Sequence, residues 1–349
     1  MRVVVVGATG NIGTSLVPAL VADPDVTSVL GLARRSPAWR PDDVEWATAD
    51  IATDDVAAHL RGADALVHLG WLIQPSHDPI LTWRVNVLGG IRLFRAAVEA
   101  GVRTIVHASS VGAYSPGPKD TPVDESWPTD GWPTAAYPRE KAYLERVLDR
   151  IEAEHPQLRI VRIRPGFVFK RETGAEQRRL FVGPFLPNRL VRPSLIPVVP
   201  DLPGLRFQVV HSLDAADAFR RAVVRDVRGA FNVATDPVVD AQQLARLLGA
   251  RPVRLPARPA RAAVATAWQL RLTPASPHLL DALLRVPIMS TDRARSELGW
   301  QPRHDSLETL DEFLGGLRDG AGMDTPPLSP RTGGPLRSRE VGTGAGEQP

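Results

Sequence analysis

The stretch Val3-Val4-Val5-Val6-Gly7-Ala8-Thr9-Gly10-Asn11-Ile12-Gly13 near the amino terminus decides the fold. Four consecutive β-branched residues predict a buried strand, and apolar residues at helical spacing (Ile12, Leu16, Leu20) predict a helix from Ile12 to Val21. The glycines between them let the backbone turn sharply and approach a ligand without Cβ atoms in the way. A strand, a glycine turn and a helix in this order indicate a diphosphate site at the helix start, or else a tight turn without a ligand.

The same alternation of strands and helices continues along the first half of the chain. Continuous Val/Ile/Leu runs separated by helical patterns argue for a parallel sheet that is buried on both faces. We therefore predict an α/β protein with a doubly wound parallel sheet. Strands are expected at Ser28–Leu32, Val44–Ala47, Ala65–Leu69, Thr104–Ala108 and Leu158–Ile163, with helices near Asp54–Leu60, Ile80–Ala100 and Ala136–His155.

The composition and the apolar periodicity of the sequence change after Pro165. Residues 166–204 are rich in Pro and Arg with little periodicity, which predicts an irregular segment over the edge of the sheet. Regular patterns return with strands at Phe207–Val210 and Ala230–Val233 and helices at Asp214–Val224 and Ala241–Leu248. We assign 1–165, with contributions from about 205–235, to the sheet domain, and 166–204 and 236–318 to a smaller substrate-binding subdomain. The polar, Gly- and Pro-rich residues 320–349 predict a disordered tail.

Composition excludes several classes of site. The 349 residues contain no cysteine, which excludes a disulfide scaffold and any thiolate nucleophile or thiolate metal site. The histidines lack metal-ligand spacing, and we predict no metal. The 42 basic residues alternate with 39 acidic ones, which argues against a nucleic-acid partner. No run approaches the roughly 18 apolar residues of a membrane span, and a glycine interrupts the amino-terminal valines too early for a secretory signal. We expect a cytoplasmic protein with no membrane partner.

The end of the second predicted strand bears on the choice of cofactor. About 20 residues beyond the last glycine of a dinucleotide turn, an NAD site offers an Asp or Glu to the adenosine ribose. Here no acid occurs between Asp25 and Asp42, and the strand is followed by Arg34 and Arg35. Two guanidinium groups suit a 2′-phosphate by charge and by bidentate geometry. We therefore predict NADP, with NAD as the alternative if these arginines are merely solvated.

Tyr137 and Lys141 lie four residues apart, which places both side chains on one face of the predicted helix. The chain has only three tyrosines and three lysines, so the pairing is informative. A phenol with a pKa near 10 is a poor acid–base group at neutral pH, and a neighbouring ammonium and an oxidised nicotinamide both lower that pKa toward the working range. We predict that Tyr137 transfers a proton and that Lys141 makes it more acidic. Serines at the end of a neighbouring strand, Ser109 and Ser110, can stabilise a substrate oxygen.

The glycine spacing G-x-x-G-x-x-G, together with Tyr137 and Lys141, resembles the extended branch of the short-chain dehydrogenase/reductase superfamily, the NAD-dependent epimerases and dehydratases. The resemblance covers most of residues 1–315 and implies a Rossmann fold and a small-molecule substrate. The family's catalytic Ser or Thr lies four residues before the tyrosine of a Ser-Ser-x-x-x-Tyr segment. That spacing selects Ser110 here, with Ser109 as the alternate. Two helices of the family often form a homodimer contact, and a homodimer is expected on that ground.

The resemblance also implies the remaining cofactor contacts. Asp50 and Ile51 correspond to a pair that holds the adenine, Leu69 and Gly70 to a segment under the riboses, and Pro165 and Val168 to a turn that meets the nicotinamide carboxamide. Asn86 matches an Asn that the family places behind the site. The predicted cofactor set is Gly7, Thr9, Gly10, Asn11, Ile12, Gly13, Arg34, Arg35, Asp50, Ile51, Leu69, Gly70, Asn86, Ser109, Tyr137, Lys141, Pro165 and Val168.

These residues support three functions. The first is an NADP-dependent oxidoreductase that moves hydride between nicotinamide C4 and a carbonyl or alcohol carbon. The second is a nucleotide-sugar epimerase or dehydratase with tightly bound NAD. Two departures from the family pattern count against it: Phe169-Lys170-Arg171 replaces the usual Tyr-Gly-Pro, and no match follows to the Asn and Arg that hold a sugar nucleotide's diphosphate. The third is a non-catalytic dinucleotide sensor, which the intact Ser, Tyr and Lys set disfavours.

Overall fold

The computed structural model describes residues 1–185 and 195–341. Its first half alternates strands and helices, as predicted. In chain order the elements are β1 (Arg2–Val6), α1 (Asn11–Val21), β2 (Ser28–Ala33), β3 (Val44–Thr48), α2 (Ala57–Leu60), β4 (Ala65–His68), α3 (Pro79–Thr82), a π-helical turn (Trp83–Leu88), α4 (Gly89–Glu99), β5 (Thr104–Ala108), a 3-10 turn (Val111–Ala113), α5 (Ala136–Glu154) and β6 (Arg159–Pro165).

The second half has shorter strands and helices. They are β7 (Phe167–Phe169), a 3-10 turn (Arg171–Thr173), α6 (Gly174–Gln177), a π-helical turn (Arg178–Val182), β8 (Val198–Asp201), β9 (Arg206–His211), α7 (Ser212–Val224), β10 (Gly229–Val233), β11 (Thr235–Asp240), α8 (Ala241–Leu247), β12 (Arg251–Arg254), α9 (Ala257–Gln269), α10 (Pro277–Leu283), α11 (Asp292–Ser296), α12 (Ser306–Asp319) and a 3-10 turn (Pro335–Glu340). None of the helices in the described ranges has the length and apolarity to cross a membrane.

Seven strands form one parallel sheet in the order β10-β6-β5-β4-β1-β2-β3. The predicted doubly wound parallel sheet is confirmed. The chain leaves β1 toward β2 and β3, and then returns to its other side with β4, so the strand order reverses at β1. Loops diverge on the two sides of such a reversal and leave a crevice at the carboxyl ends of the strands. The glycine turn lies at this crevice because it directly follows β1.

The alternation of side chains along β1 produces two separate cores. Val3 and Val5 pack on one face of the sheet with residues of α1 and α7, while Val4 and Val6 pack on the other with residues of α4 and α5. All four valines are at most 5% exposed. The valine run is therefore apolar throughout because both faces of the strand are covered by helices.

The structure adds elements that the sequence pattern did not reveal. Residues 166–204, predicted to be irregular, contain β7, which pairs with β9 in a three-stranded sheet, and β8, which pairs with β12. Part of that segment, residues 186–194, lies outside the described residues. Helices α9 and α10 and the long helix α12 had no assigned pattern. Helix α9 has no buried residue at all, whereas α12 does carry apolar residues at helical spacing, Leu307, Leu310, Leu314 and Leu317, which the sequence prediction missed.

The tail predicted to be disordered differs from the structure over residues 321–341, here called the C-terminal segment. Leu328 is fully buried, and the carbonyl of Asp324 accepts hydrogen bonds from the backbone of Ala38 and Trp39 at 3.1 and 2.9 Å. Arg178 donates two hydrogen bonds of 2.7 Å to Glu340, and both side chains are buried. Backbone hydrogen bonds and one ion pair thus order a segment with little apolar area. Residues 342–349 of the predicted tail lie outside the described residues.

Replacing Glu340 is expected to detach the C-terminal segment. Glu340→Ala leaves the buried guanidinium of Arg178 without an anion, and removal of one partner of a buried pair costs about 3–5 kcal/mol. When the segment detaches, water can reach Arg178 and relieve part of this cost. We therefore expect the free energy of unfolding in urea to fall by about 3 kcal/mol, the lower end of that range. Limited proteolysis should then cleave within 321–341. Asp319→Ala, which breaks the half-exposed pair with Arg171, is the control and should cost at most about 1 kcal/mol. Equal losses would contradict this role.

Candidate active site

The glycine turn has two positions that the protein itself reserves for glycine. Gly7 has φ +84, and a Cβ there would lie 2.5 Å from the backbone nitrogen of Gly70. A Cβ on Gly13 would lie 2.4 Å from the carbonyl oxygen of Gly7. Gly10 is different, because a Cβ on Gly10 would have its nearest neighbour 3.5 Å away, at ordinary contact distance. Packing therefore leaves room for a side chain at Gly10, and its absence suits a ligand that approaches the backbone closely.

A cavity of about 610 Å³ lies at the carboxyl ends of the strands, beside the glycine turn. Every predicted site residue but one lines this cavity. The lining members of the predicted set are Gly7, Thr9, Gly10, Asn11, Ile12, Gly13, Arg34, Arg35, Asp50, Ile51, Leu69, Gly70, Ser109, Ser110, Tyr137, Lys141, Pro165 and Val168. The fold thus brings residues from the ends of six parallel strands to one place.

Asn86 is the exception, since it does not line the cavity. It is buried behind the wall, where its side chain accepts a hydrogen bond of 2.8 Å from the backbone of Leu72 and donates one to the carbonyl of the same residue. It also donates to Glu140 at 2.7 Å, and Thr82 donates to the other oxygen of Glu140 at 2.6 Å. The structure thus places Asn86 behind the site, as the resemblance implies, and not in the lining of the cavity. Asn86 instead fixes the loop after β4 against the start of α5.

The cavity offers polar atoms that fit a dinucleotide. Asn11 donates to the carbonyl of Val168 at 2.9 Å, which joins the glycine turn to the strand after β6. The side-chain oxygen of Asn11 is buried without a partner among the described residues. Arg34 and Arg35 follow β2 at the other side of the glycine turn, and Arg34 is attracted to Asp50 at the end of β3. Glycine turn, amide and guanidinium groups together match the needs of a diphosphate and a phosphorylated ribose.

The two serines after β5 have different partners. Ser109 donates to Glu145 at 2.5 Å, so its hydroxyl hydrogen faces away from the cavity. Ser110 Oγ accepts from the backbone of Gly112 at 3.0 Å, and Ser110 is near enough to Tyr137 to oppose the rise in the pKa of the phenol. The ring of Tyr137 packs on Gly112, where a Cβ would lie 3.1 Å from Tyr137 Cε1. The geometry therefore pairs Ser110, and not Ser109, with the phenol.

Lys141 is buried and has two contacts that the sequence did not predict. Its Nζ donates to the carbonyl of Ala108 at 2.6 Å and lies 3.4 Å from the ring centroid of Trp71. The same nitrogen is 5.7 Å from the ring centroid of Tyr137. Burial lowers the pKa of Lys141 well below its usual value, and the carboxylates of Glu140 and Glu145 oppose that shift. The ammonium is thus held by a carbonyl and an aromatic face.

The effect expected of Lys141 on Tyr137 differs from the electrostatics of the structure. Burial raises the pKa of Tyr137, and the hydrogen bond with Ser110 opposes that rise. The physical reason is that burial disfavours the phenolate, while the ammonium is already engaged by Ala108 and Trp71. The phenol is therefore protonated and can act as a proton donor.

Glu145 joins α5 to the strand ends that carry the other site residues. Arg164 at the end of β6 donates to both of its oxygens, at 2.9 and 2.8 Å. Burial raises the pKa of Glu145, but the hydrogen bonds and charge of Arg164 outweigh it, so that the pKa lies below its usual value. Arg162 lies 3.7 Å from the same carboxylate. The carboxylate stays ionised in the interior because two guanidinium groups surround it.

Sequence reasoning missed other features of the site. Trp71 lines the cavity edge-on to Tyr137, with ring centroids 5.8 Å apart. Glu176 lines it from α6, and Pro326 and Pro327 line it from the C-terminal segment. Of these residues, only Trp71 could have been found from the sequence, because it directly follows the predicted cofactor contact Gly70. Within the described ranges, no group of three His, Asp or Glu side chains is arranged to hold a metal ion.

Comparison with known proteins finds one matching family model and several related proteins. A family model described as "NAD dependent epimerase/dehydratase family" matches residues 3–234. An uncharacterized protein of Mycobacterium tuberculosis is 25% identical over 355 residues, which cover 97% of this chain and 89% of that protein. A 4-hydroxy-2-methyl-3-oxo-4-farnesyl-3,4-dihydroquinoline-1-oxide ketoreductase of Stigmatella aurantiaca is 31% identical over 173 residues, or 48% of this chain and 51% of that protein.

A solved structure confirms the fold. The UDP-glucose 4-epimerase of Thermus thermophilus, in complex with NAD, superposes with a TM-score of 0.68 at 23% sequence identity. The superposition covers 91% of this chain and 99% of the epimerase chain. The Rossmann fold predicted from the glycine turn is thus confirmed.

The buried ion pair of α5 predicts a large stability effect. Glu145→Gln removes the anion and leaves Arg164 buried without its countercharge, which is expected to lower the free energy of unfolding by about 3–5 kcal/mol. Because the folded pKa of Glu145 lies below the usual 4.5, its stabilisation is present above that pH and is lost as the pH falls through the folded pKa. Urea unfolding of wild type and variant at neutral and acidic pH measures both the loss of stability and its dependence on pH. Glu154→Gln on the exposed end of α5 should cost at most about 1 kcal/mol. A loss of that small size for Glu145→Gln would contradict the assignment.

Proposed function

Because the chain belongs to the NAD dependent epimerase/dehydratase family, and is thus a dinucleotide-dependent enzyme, we propose that it is an NADP-dependent carbonyl reductase. The observation that carries the proposal is that Ser110, Tyr137 and Lys141 line the same cavity as the glycine turn. A proton donor and a hydroxyl at one point of a dinucleotide cavity suit the reduction of a carbonyl to an alcohol.

The proposed cofactor contacts follow the lining of the cavity. The glycine turn, from Gly7 to Gly13, would hold the diphosphate, and Arg34 and Arg35 the 2′-phosphate. Asp50 and Ile51 would contact the adenine, and Pro165 and Val168 the nicotinamide carboxamide. When bound, the reduced nicotinamide supplies a hydride from C4.

The side chains then account for the proton and the charge. Tyr137 is protonated because burial raises its pKa, and it can pass its proton to the carbonyl oxygen as that oxygen gains negative charge. Ser110 donates a hydrogen bond to the same oxygen. Lys141 has three N–H donors, of which one is used by Ala108, so two remain to hold a ribose hydroxyl and to stabilise the phenolate that Tyr137 leaves. Tyr137 regains its proton from solvent.

The alternative is an epimerase or dehydratase of the same family, in which hydride transfer is internal and the cofactor stays bound. The family description and the fold shared with a UDP-glucose 4-epimerase favour it. The absence of an acid between Asp25 and Asp42 in the sequence, with Arg34 and Arg35 in its place, favours a phosphorylated and exchangeable cofactor instead. The relative named as a ketoreductase supports reduction as the reaction. A sensor without activity is the third function to be tested.

Tyr137→Phe separates catalysis from binding. We expect kcat for NADPH-dependent ketone reduction to fall by about 10²–10⁴-fold because the proton donor is lost. NADPH affinity, measured by fluorescence titration, should change by less than about threefold, since the ring remains. Tyr143→Phe is the matched control, because Tyr143 is on the same helix but 44% exposed. Binding of NADPH without reduction by wild type or variant would identify a sensor, whereas NAD that co-purifies and never exchanges would identify an epimerase.

Arg34 and Arg35 are proposed to select NADPH over NADH. The double variant Arg34→Ala/Arg35→Ala is expected to raise the Kd for NADPH by at least about tenfold, because charge-assisted hydrogen bonds contribute about 1.5–3 kcal/mol each. The Kd for NADH should change by less than about twofold. Fluorescence titration with both nucleotides measures the two values, and Arg95→Ala on the exposed face of α4 is the control. A parallel loss of affinity for both nucleotides would show that the arginines do not discriminate.

A further inference from the structure

Beyond the predicted cofactor contacts, the cavity wall is aliphatic. Three separate parts of the chain build it: the loop after β4, the π-helical turn before Gly183, and the helix α10 with its neighbour α9. The large side chains that line it there are Leu72, Ile73, Leu180, Phe181, Leu279 and Leu283. A ligand in this part of the cavity gains free energy by burying apolar surface.

Charge is sparse on the same wall. Of the described lining residues outside the predicted catalytic and cofactor set, Glu176 is the single one with a charged side chain. One of its oxygens is buried without a hydrogen-bond partner, and burial raises the pKa of Glu176 to about 7. The diphosphate of a nucleotide sugar needs cations or N–H donors when it leaves water. Among the described lining residues of this wall, Gln177 and Ser276 offer neutral donors, but none offers a cation to a diphosphate.

The rim next to Phe181 is apolar as well. Val182, Leu270 and Leu272 are 37%, 64% and 48% exposed, although large apolar side chains are usually covered. They belong to one edge, because Thr273 donates to the carbonyl of Phe181 at 2.9 Å and a Cβ on Gly183 would lie 3.2 Å from the carbonyl oxygen of Leu272. Aliphatic surface therefore continues from the interior of the cavity to its edge.

Specific contacts fix these distant parts of the chain to one another. Gln74 is buried and donates to the carbonyls of Leu180 and Pro274, at 2.7 and 3.1 Å. Trp268 of α9 donates to Ser76 at 2.9 Å. The wall is thus a built feature of the fold, since the buried Gln74 and the partly buried Ser76 and Trp268 join its separate parts by hydrogen bonds.

We propose that the substrate is an uncharged ketone, or the corresponding secondary alcohol, carried on a large apolar body, and not a nucleotide sugar. The inference rests on the proposed function, which places the carbonyl carbon at Tyr137 and Ser110. The apolar body lies along Leu180, Phe181 and α10. In the reduction the ketone and NADPH plus one proton give the alcohol and NADP⁺: hydride forms the new C–H bond, and the carbonyl π pair takes the proton of Tyr137.

A homologous series of methyl ketones from butanone to undecanone tests this with the full-length wild-type protein. If each added methylene is buried, kcat/KM with NADPH rises about three- to fourfold per methylene until the wall is filled. A second measurement is calorimetric titration of undecanone and of UDP-glucose into the NADP⁺-loaded protein. Undecanone is expected to bind, and UDP-glucose at the same concentrations is not.

Leu279→Asn places an amide in the aliphatic wall. We expect the ratio of kcat/KM for undecanone to that for butanone to fall by about tenfold, because the longer chain loses its apolar contact. Leu213→Asn, on α7 and 53% exposed, is the control and should leave the ratio unchanged. If Leu279→Asn does not fold, the ketone series and the calorimetric titration still test the proposal, because both use the wild-type protein.

The outcomes separate this inference from the proposed function. Undecanone binding without turnover of any ketone would overturn the reductase function and keep the apolar site. A flat dependence on chain length, or binding of UDP-glucose, would overturn the apolar substrate even if ketones are reduced. Failure of undecanone to bind the loaded protein would overturn it as well.

Discussion

A single buried carboxylate, Glu145, holds the helix of Tyr137 and Lys141 against the ends of β5 and β6. Its two oxygens accept from Arg164, and one of them also accepts from Ser109. Burying two charges is costly, and the cost is offset only if the partners keep their geometry. The helix therefore cannot slide along the sheet without leaving charges unpaired. The same carboxylate accepts the hydroxyl hydrogen of Ser109 and leaves Ser110 beside Tyr137, so one side chain sets both the position of the helix and the choice of serine.

The parts of the fold that the sequence predicted are those whose causes are local. The valine run, the glycine turn and the helix from Asn11 are read from neighbouring residues, because strand burial, backbone freedom and helical spacing act over a few positions. The convergence of strand ends follows from the parallel order, so Tyr137, Lys141 and the glycine turn were placed together without coordinates. The choice between Ser109 and Ser110 by geometry needed the position of Glu145, which is 36 residues away.

The parts that were missed depend on contacts between distant residues. Arg178 and Glu340 are 162 residues apart, and the ordered C-terminal segment rests on that pair and on backbone hydrogen bonds to Ala38 and Trp39. Composition predicted disorder there because it measures apolar area and not such bonds. Helix α9 escaped prediction for a related reason, since no face of it is fully buried. The contact between Trp71 and Lys141 was missed for the same reason, because only the fold brings the Lys141 nitrogen to 3.4 Å from the ring centroid of Trp71.

The two halves of the cavity are held in place by different means. The polar half comes from strand ends, whose positions are fixed by the hydrogen-bonded sheet. The aliphatic half comes from α9, α10 and the turn before Gly183, which contact the loop after β4 through side chains such as Gln74 and Trp268. None of these contacts involves Glu145 or Tyr137, so we expect substitutions in that half to change the shape of the wall and leave both residues in place. The fold thus lets the aliphatic wall vary while Tyr137, Ser110 and the glycine turn stay in place.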